Sequence, residues 1–202
     1  MIYEINPDNP QMRLIEKAVG ILKDGGVIAY PTDTFYGMGC DIFNKKAIRR
    51  VYQIKKRPLH IPFSFICPDL KDISKYAKVS NYAYKTMRRL LPGPYTFILE
   101  GSSMVPQIML TKRKTVGIRV PDNNICLTLA MTLGNPILST SVSTEDGRIL
   151  HEPSLIEEAF ENQLDLVISG GILYPEPSSI ISLINDVPEV LRVGKGDVTV
   201  FE

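Results

Sequence analysis

Segments of helical period alternate with short apolar runs along the whole chain, and glycine or proline closes most of them. Leu14, Ile15, Ala18, Val19 and Leu22 recur at helical spacing, and Gly25-Gly26 ends that segment. Asn9-Pro10 is expected to open it, as cap and first-turn proline. Val27–Tyr30 follows, an apolar run stopped by Pro31, with the length and punctuation of a buried strand. Asn44 is placed to cap a helix bearing Ala47, Ile48, Val51 and Tyr52. Pro58 and Pro62 forbid its continuation and leave a loop between them. Further helices are predicted from Ser80 to about Leu91, from Asn123 or Asn124 to Gly134, and from Pro153 to Asn162. Further strands are predicted over 62–67, 95–99, 115–120, 137–141, 164–168, 179–184 and 190–193. The alternation, without internal repeats or a linker, predicts one α/β domain over residues 1–202, with a mixed, twisted sheet.

At 202 residues and 44% apolar content, the chain can build a core without a metal or disulfide staple. Cys40, Cys67 and Cys126 are odd in number and widely spaced. They form neither a disulfide framework nor a zinc pattern, and read as buried thiols of a reducing, cytoplasmic compartment. The charged first twenty residues do not read as a signal peptide, and no apolar run reaches membrane-spanning length. His60 and His151 have no ligand neighbours at metal spacing, and no GxSxG, Walker or GxGxxG motif occurs. Nucleophilic triads and catalytic zinc are therefore poor fits. Chemistry here has to rest on positioning and on charge neutralisation by lysine and arginine.

The net charge of +1 conceals a polarised chain. Through residue 120 there are 20 Lys and Arg against 9 Asp and Glu, or +11; from residue 121 there are 3 against 13, or −10. An anionic partner is thus expected rather than excluded. The first constellation that could meet one is Tyr30–Gly37, where hydroxyl and carboxylate groups follow a strand end. A turn with local Thr and Asp bonds accounts for the same residues. The second is Lys55-Lys56-Arg57-Pro58, a point charge and a bidentate fork suited to phosphate. It equally suits the C-terminal end of a helix. The hydroxyl run Ser139-Thr140-Ser141-Val142-Ser143 and the pair Ser178-Ser179 can take phosphate or ribose oxygens, and Arg192 closes the last core strand.

Taken in order, these segments resemble the YrdC/YciO family, whose best-known members are threonylcarbamoyl-AMP synthases. The resemblance runs from Gly25–Thr34 and Tyr36-Gly37 through Lys55–Pro58 with Pro62, Leu91–Thr96, Val116–Pro121 and Ser139–Ser141. Asp165, Gly170-Gly171, Pro177–Ser179 and Arg192–Gly194 complete it, so that it covers about residues 10–197 and looks most like the YciO branch. It implies a large twisted sheet forming a positively charged concave groove with helices packed around it. It further implies that ATP, with Mg²⁺, bicarbonate and L-threonine are joined there into threonylcarbamoyl-adenylate and pyrophosphate, for t6A modification of tRNA. Lys55 and Arg57 match the family's KxR pair, which engages nucleotide phosphates. Thr34 matches a hydroxyl near the threonine site, Ser141 opens the family's SxN motif, and Ser178 and Arg192 match further groove positions. Arg119 ends a core strand facing the same groove and is suited to a carboxylate or phosphate. Three positions depart from the pattern: Ser143 replaces the asparagine of SxN, Ile61 stands where synthases often carry Lys or Asn, and Ser182 replaces an aspartate.

The family is also linked to double-stranded RNA. The basic clusters at 45–50, 55–57, 88–89 and above all Lys112-Arg113-Lys114 make RNA, including tRNA, the alternative partner. Solvated charged faces account for any one of these clusters alone.

Overall fold

The computed structural model describes residues 1–174 and 176–201. Its strands are β1 (Ile2–Glu4), β2 (Ile28–Tyr30), β3 (Gly37–Gly39), β4 (Ser64–Ile66), β5 (Tyr95–Glu100), β6 (Thr115–Arg119), β7 (Ile137–Ser141), β8 (Leu166–Ser169), β9 (Ser179–Ser182) and β10 (Glu189–Arg192). Its α-helices are α1 (Met12–Lys23), α2 (Lys45–Ile54), α3 (Leu70–Tyr76), α4 (Asn81–Leu90), α5 (Asn124–Leu133) and α6 (Pro153–Ala159). The strands join in one mixed sheet of order β1-β8-β2-β3-β7-β4-β6-β5-β9-β10. The α/β prediction and the mixed sheet are both borne out.

Strand alternation divides the burial between two faces. On β2, Ile28 and Tyr30 point one way and Ala29 the other; Leu166 and Ile168 are likewise opposed to Val167 on β8. One face packs on α1 and α5 through Ile15, Ala18, Val19, Leu22, Ile125, Leu129 and Leu133. The opposite face packs on α2, α3, α4 and α6 through residues such as Ile48, Tyr52, Ile73, Met87 and Ile156. Strands β5, β6 and β9 place Phe97, Leu99, Val116, Ile118 and Ile181 in that second core only. On their other face the apolar core under α1 and α5 does not continue.

The helix stops act as the residue types predict. Gly25 sits at φ 88°, and the N–H groups of Gly25 and Gly26 return to the carbonyls of Leu22 and Ile21, closing α1 in a Schellman turn. Asn44, Asp69, Ser80 and Asn123 each accept a backbone N–H in the first turn of the following helix. The predicted start of α1 needs correction. Gln11 is its cap, and Asn9 instead donates its N–H to the Asn6 side chain in a preceding turn.

Three elements escaped the sequence reading. β1 is only three residues long. β3 is Gly-Met-Gly, without strand-type side chains, yet glycine is obligatory there. A Cβ on Gly39 would lie 1.7 Å from the Leu138 carbonyl, and one on Gly37 would lie 2.8 Å from the Tyr30 ring. α3 did carry a signal in its Asp69 cap.

Candidate functional site

This half of the sheet is the floor of a cleft of about 420 Å³. Thr96 and Ile98 of β5, Thr115, Gly117 and Arg119 of β6, and Ile180 of β9 form that floor. Ser64 of β4 and Ser139 and Ser141 of β7 extend it toward the helices. Gly117 keeps the floor low: a Cβ there would already stand 3.2–3.4 Å from Ser64, Ile98 and Thr96. The cleft-lining residues include three arginines, Arg57, Arg119 and Arg192, and no carboxylate.

Arg119 is the most deeply set of the three, at 8% exposure. Its Nη2 donates to Asp33 Oδ1 at 2.6 Å and to the Thr34 hydroxyl at 3.1 Å. Its Nε is buried and has no acceptor. Burying a guanidinium N–H without an acceptor is costly. Asp33 is itself tied down: its second oxygen accepts the Asp122 N–H at 3.0 Å, and its carbonyl accepts from Lys195 Nζ at 2.7 Å.

Arg192 reaches the same end of the cleft from β10. Its Nε and Nη2 donate to the Ser178 carbonyl at 3.0 and 2.8 Å, and Nη2 also meets the Ser178 hydroxyl at 3.1 Å. That hydroxyl pairs with Thr96 Oγ1 at 2.9 Å. Burial, and then the charge of Arg119, lowers the pKa of Arg192.

The opposite wall comes from the end of α2. Lys56 adopts φ 46°, so the helix closes in a Schellman turn with lysine where glycine is the easy choice. The N–H groups of Lys56 and Arg57 return to Gln53 and Tyr52. This reversal sends Lys55 and Arg57 in different directions. Arg57 lies over the Phe63 ring at 4.6 Å and donates to the carbonyls of Ile61 and Pro62, with its fork at the cleft wall. Burial lowers its pKa. Lys55 stands behind the wall, bonded to Ser141 and Ser143.

The predicted residues thus separate. Arg57, Arg119, Ser139, Ser141, Ser178 and Arg192 converge on one cleft. Thr34 supports Arg119 from behind. Lys55 and Ser143 pair with each other and do not line the cleft. Lys112, Arg113 and Lys114 lie on the exposed approach to β6, where the flanking Thr111 and Thr115 line the cleft. Asp33, Phe63, Gly117 and Lys195 join the site from positions that the sequence alone does not mark as binding residues. Asp33 lay in a noted hydroxyl-rich turn, and Gly117 lay in the Val-Gly-Ile-Arg run.

The donor set does not fit a protein-held Mg²⁺. Among the described residues no three His, Cys, Asp or Glu side chains come together, and Asp33 is committed to Arg119 and Asp122. Guanidinium groups and hydroxyls make an anion site rather than a hard-cation site. No helix among the described residues is long and apolar enough to cross a membrane.

Known proteins share this sequence pattern and this fold. The family of Sua5, YciO and YrdC, described as "Telomere recombination", matches residues 20–194. The chain belongs to this family. The YciO protein of Escherichia coli K12 is 45% identical over 201 residues, covering 98% of each chain. A putative threonylcarbamoyl-AMP synthase of Methanocaldococcus jannaschii is 32% identical, covering 96% of this chain and 91% of the relative. The crystal structure of E. coli YciO superposes with a TM-score of 0.94 at 44% identity, over 100% of this chain and 99% of that one. The P. abyssi Sua5 structure complexed with L-threonine superposes with a TM-score of 0.89 at 26% identity. It is matched over 96% of this chain but 57% of its own length.

Proposed function

We propose that the cleft joins a nucleotide to a carboxylated amino acid, making threonylcarbamoyl-adenylate and pyrophosphate from ATP, bicarbonate and L-threonine. One observation carries the reading: three arginines, Arg57, Arg119 and Arg192, line one cleft together with hydroxyls and no carboxylate. Synthase-named relatives and the threonine-bound Sua5 support the choice of substrates.

The chemistry suits the residues present. The amine of threonine and bicarbonate give a carbamate and water. A carbamate oxygen then attacks the α-phosphorus, the bond to the β-phosphate oxygen breaks, and pyrophosphate leaves. Threonine's ammonium gives up its proton to solvent before this step, and the carbamate is already anionic, so its attack on the α-phosphorus needs no general base. It needs cations that hold two anionic reactants together and spread the developing charge. Arg119, supported by Asp33 and Thr34, takes one oxyanion. Arg57, its plane set by Phe63, takes the other, with the Ser139, Ser141 and Ser178 hydroxyls orienting the ligands. Mg²⁺ would enter as the nucleotide's own counter-ion. The product's destination would be t6A modification of tRNA.

Purified chain supplied with ATP, Mg²⁺, bicarbonate and L-threonine should release pyrophosphate. No release, together with no ATP binding at millimolar nucleotide, overturns the proposal.

A second reading, binding of tRNA or double-stranded RNA, is favoured by Lys112-Arg113-Lys114. Among the described residues none of the three has an ion-pair partner, and their loop adjoins the cleft. Such binding should weaken steeply with salt. Neutralising the three cations should abolish it and spare nucleotide binding.

A further inference from the structure

A lysine ammonium carries three protons. In this chain the Lys55 ammonium spends all of them on one short segment. It donates to the Ser141 carbonyl at 3.1 Å, the Ser143 carbonyl at 3.2 Å and the Ser143 hydroxyl oxygen at 2.5 Å. Its charge is unmatched, for no ion pair among the described residues includes it. Burial, and then the nearby Arg57 charge, pushes its pKa down. A half-buried cation in that position would gain from any anion it could reach, yet its ammonium is held on residues 141 and 143 and it is not among the residues that line the cleft, as Arg57 is.

The segment that holds it is itself anchored. Ser143 pairs with Ile149 across a hairpin, Thr144 N–H meets the Arg148 carbonyl, and Lys56 pairs with Glu145 of the same hairpin. Two of the three acceptors are backbone carbonyls that any residue would provide. The third is a side-chain oxygen that this chain owes to serine at position 143.

We propose that the Ser143 hydroxyl determines the cleft's preference among nucleotides: it holds Lys55 against residues 141–143 and so withholds a cation from polyphosphate ligands. The inference rests on the nucleotide reading above. Without the hydroxyl, two acceptors remain for three protons, and one N–H is free to turn toward a phosphate oxygen. A charge-assisted hydrogen bond moves affinity by about tenfold or more. The change should grow with the number of phosphates, because a monophosphate is already served by the arginines of the cleft wall.

The test is calorimetric titration of the purified full chain with ATP and with AMP. Ser143→Ala should tighten ATP binding by about tenfold or more, while AMP changes by less than about twofold. Lys55→Met in the Ser143→Ala background should abolish the gain, and Ser143→Thr, which keeps the hydroxyl, should behave as the parent chain. ATP binding that is unchanged or weaker in Ser143→Ala overturns the proposal. So does a gain that survives loss of Lys55, or equal weakening of both nucleotides with a lower Tm, which marks a hairpin merely loosened. A parent chain that binds neither nucleotide at millimolar concentration removes the nucleotide reading itself. A parent that binds ATP while Ser143→Ala fails to gain removes this inference alone.

Discussion

Replacing Asp33 by asparagine should unbalance the deepest charge in the cleft. Asp33 and Arg119 meet at 2.6 Å with side-chain exposures of 7% and 10%. Asparagine keeps the shape and retains an oxygen for the Asp122 N–H. The loss is therefore electrostatic rather than steric. Arg119 is left charged and buried, with the Thr34 hydroxyl as its remaining partner and its Nε still without an acceptor. Removing one partner of a buried pair costs about 3–5 kcal/mol. In a domain of this size that is a fall in Tm of about 6–20 °C. Differential scanning fluorimetry measures it directly. The same assay with millimolar pyrophosphate supplies the second half of the prediction, because an anion in the cleft replaces the missing carboxylate. Pyrophosphate should raise the Tm of Asp33→Asn by more than it raises that of the parent. A fall in Tm below about 3 °C would show that the pair contributes little. A pyrophosphate shift no larger than the parent's would refute the claim that Arg119 is open to ligands.

Gly117→Val should leave the fold intact, since a branched side chain suits a strand, while raising the cleft floor; nucleotide affinity should fall more than about tenfold by calorimetry with a stability cost of about 1–3 kcal/mol. Phe97→Ala removes a fully buried ring from the core beneath the cleft and should cost about 3–5 kcal/mol in urea unfolding. Asn44→Ala deletes the acceptor for the Ala47 N–H at the start of α2 and should cost about 1 kcal/mol in the same assay.

The sequence announced its helices through caps and stops, because those signals are local: Asn44, Ser80 and Gly134 all act where their chemistry says they should. It concealed β3, whose identity is set by distant backbone. Nothing within Gly-Met-Gly tells that Leu138 and Tyr30 leave no room for a side chain. The same division runs through the site. Arg57, Arg119 and Arg192 were legible as cations at element ends, where ligands gather. That Lys55 bonds to Ser143 while Arg57 lines the cleft was not legible, because it depends on the positive φ of Lys56 and on an acceptor 88 residues further along. Lys195 escaped for a similar reason: its partner, the Asp33 carbonyl, lies 162 residues away.

The sheet is clad on both faces under α1 and α5 and on one face beyond them. The consequence is architectural. Over β5, β6 and β9 the helices and sheet supply two layers of what is elsewhere a three-layer sandwich, and loops with the cleft between them stand in place of the third. An occupant of the cleft would therefore complete the fold as much as visit it. The strands that bind it would be the ones whose own packing is left half finished, so recognition and local rigidity in this half of the molecule would be a single event.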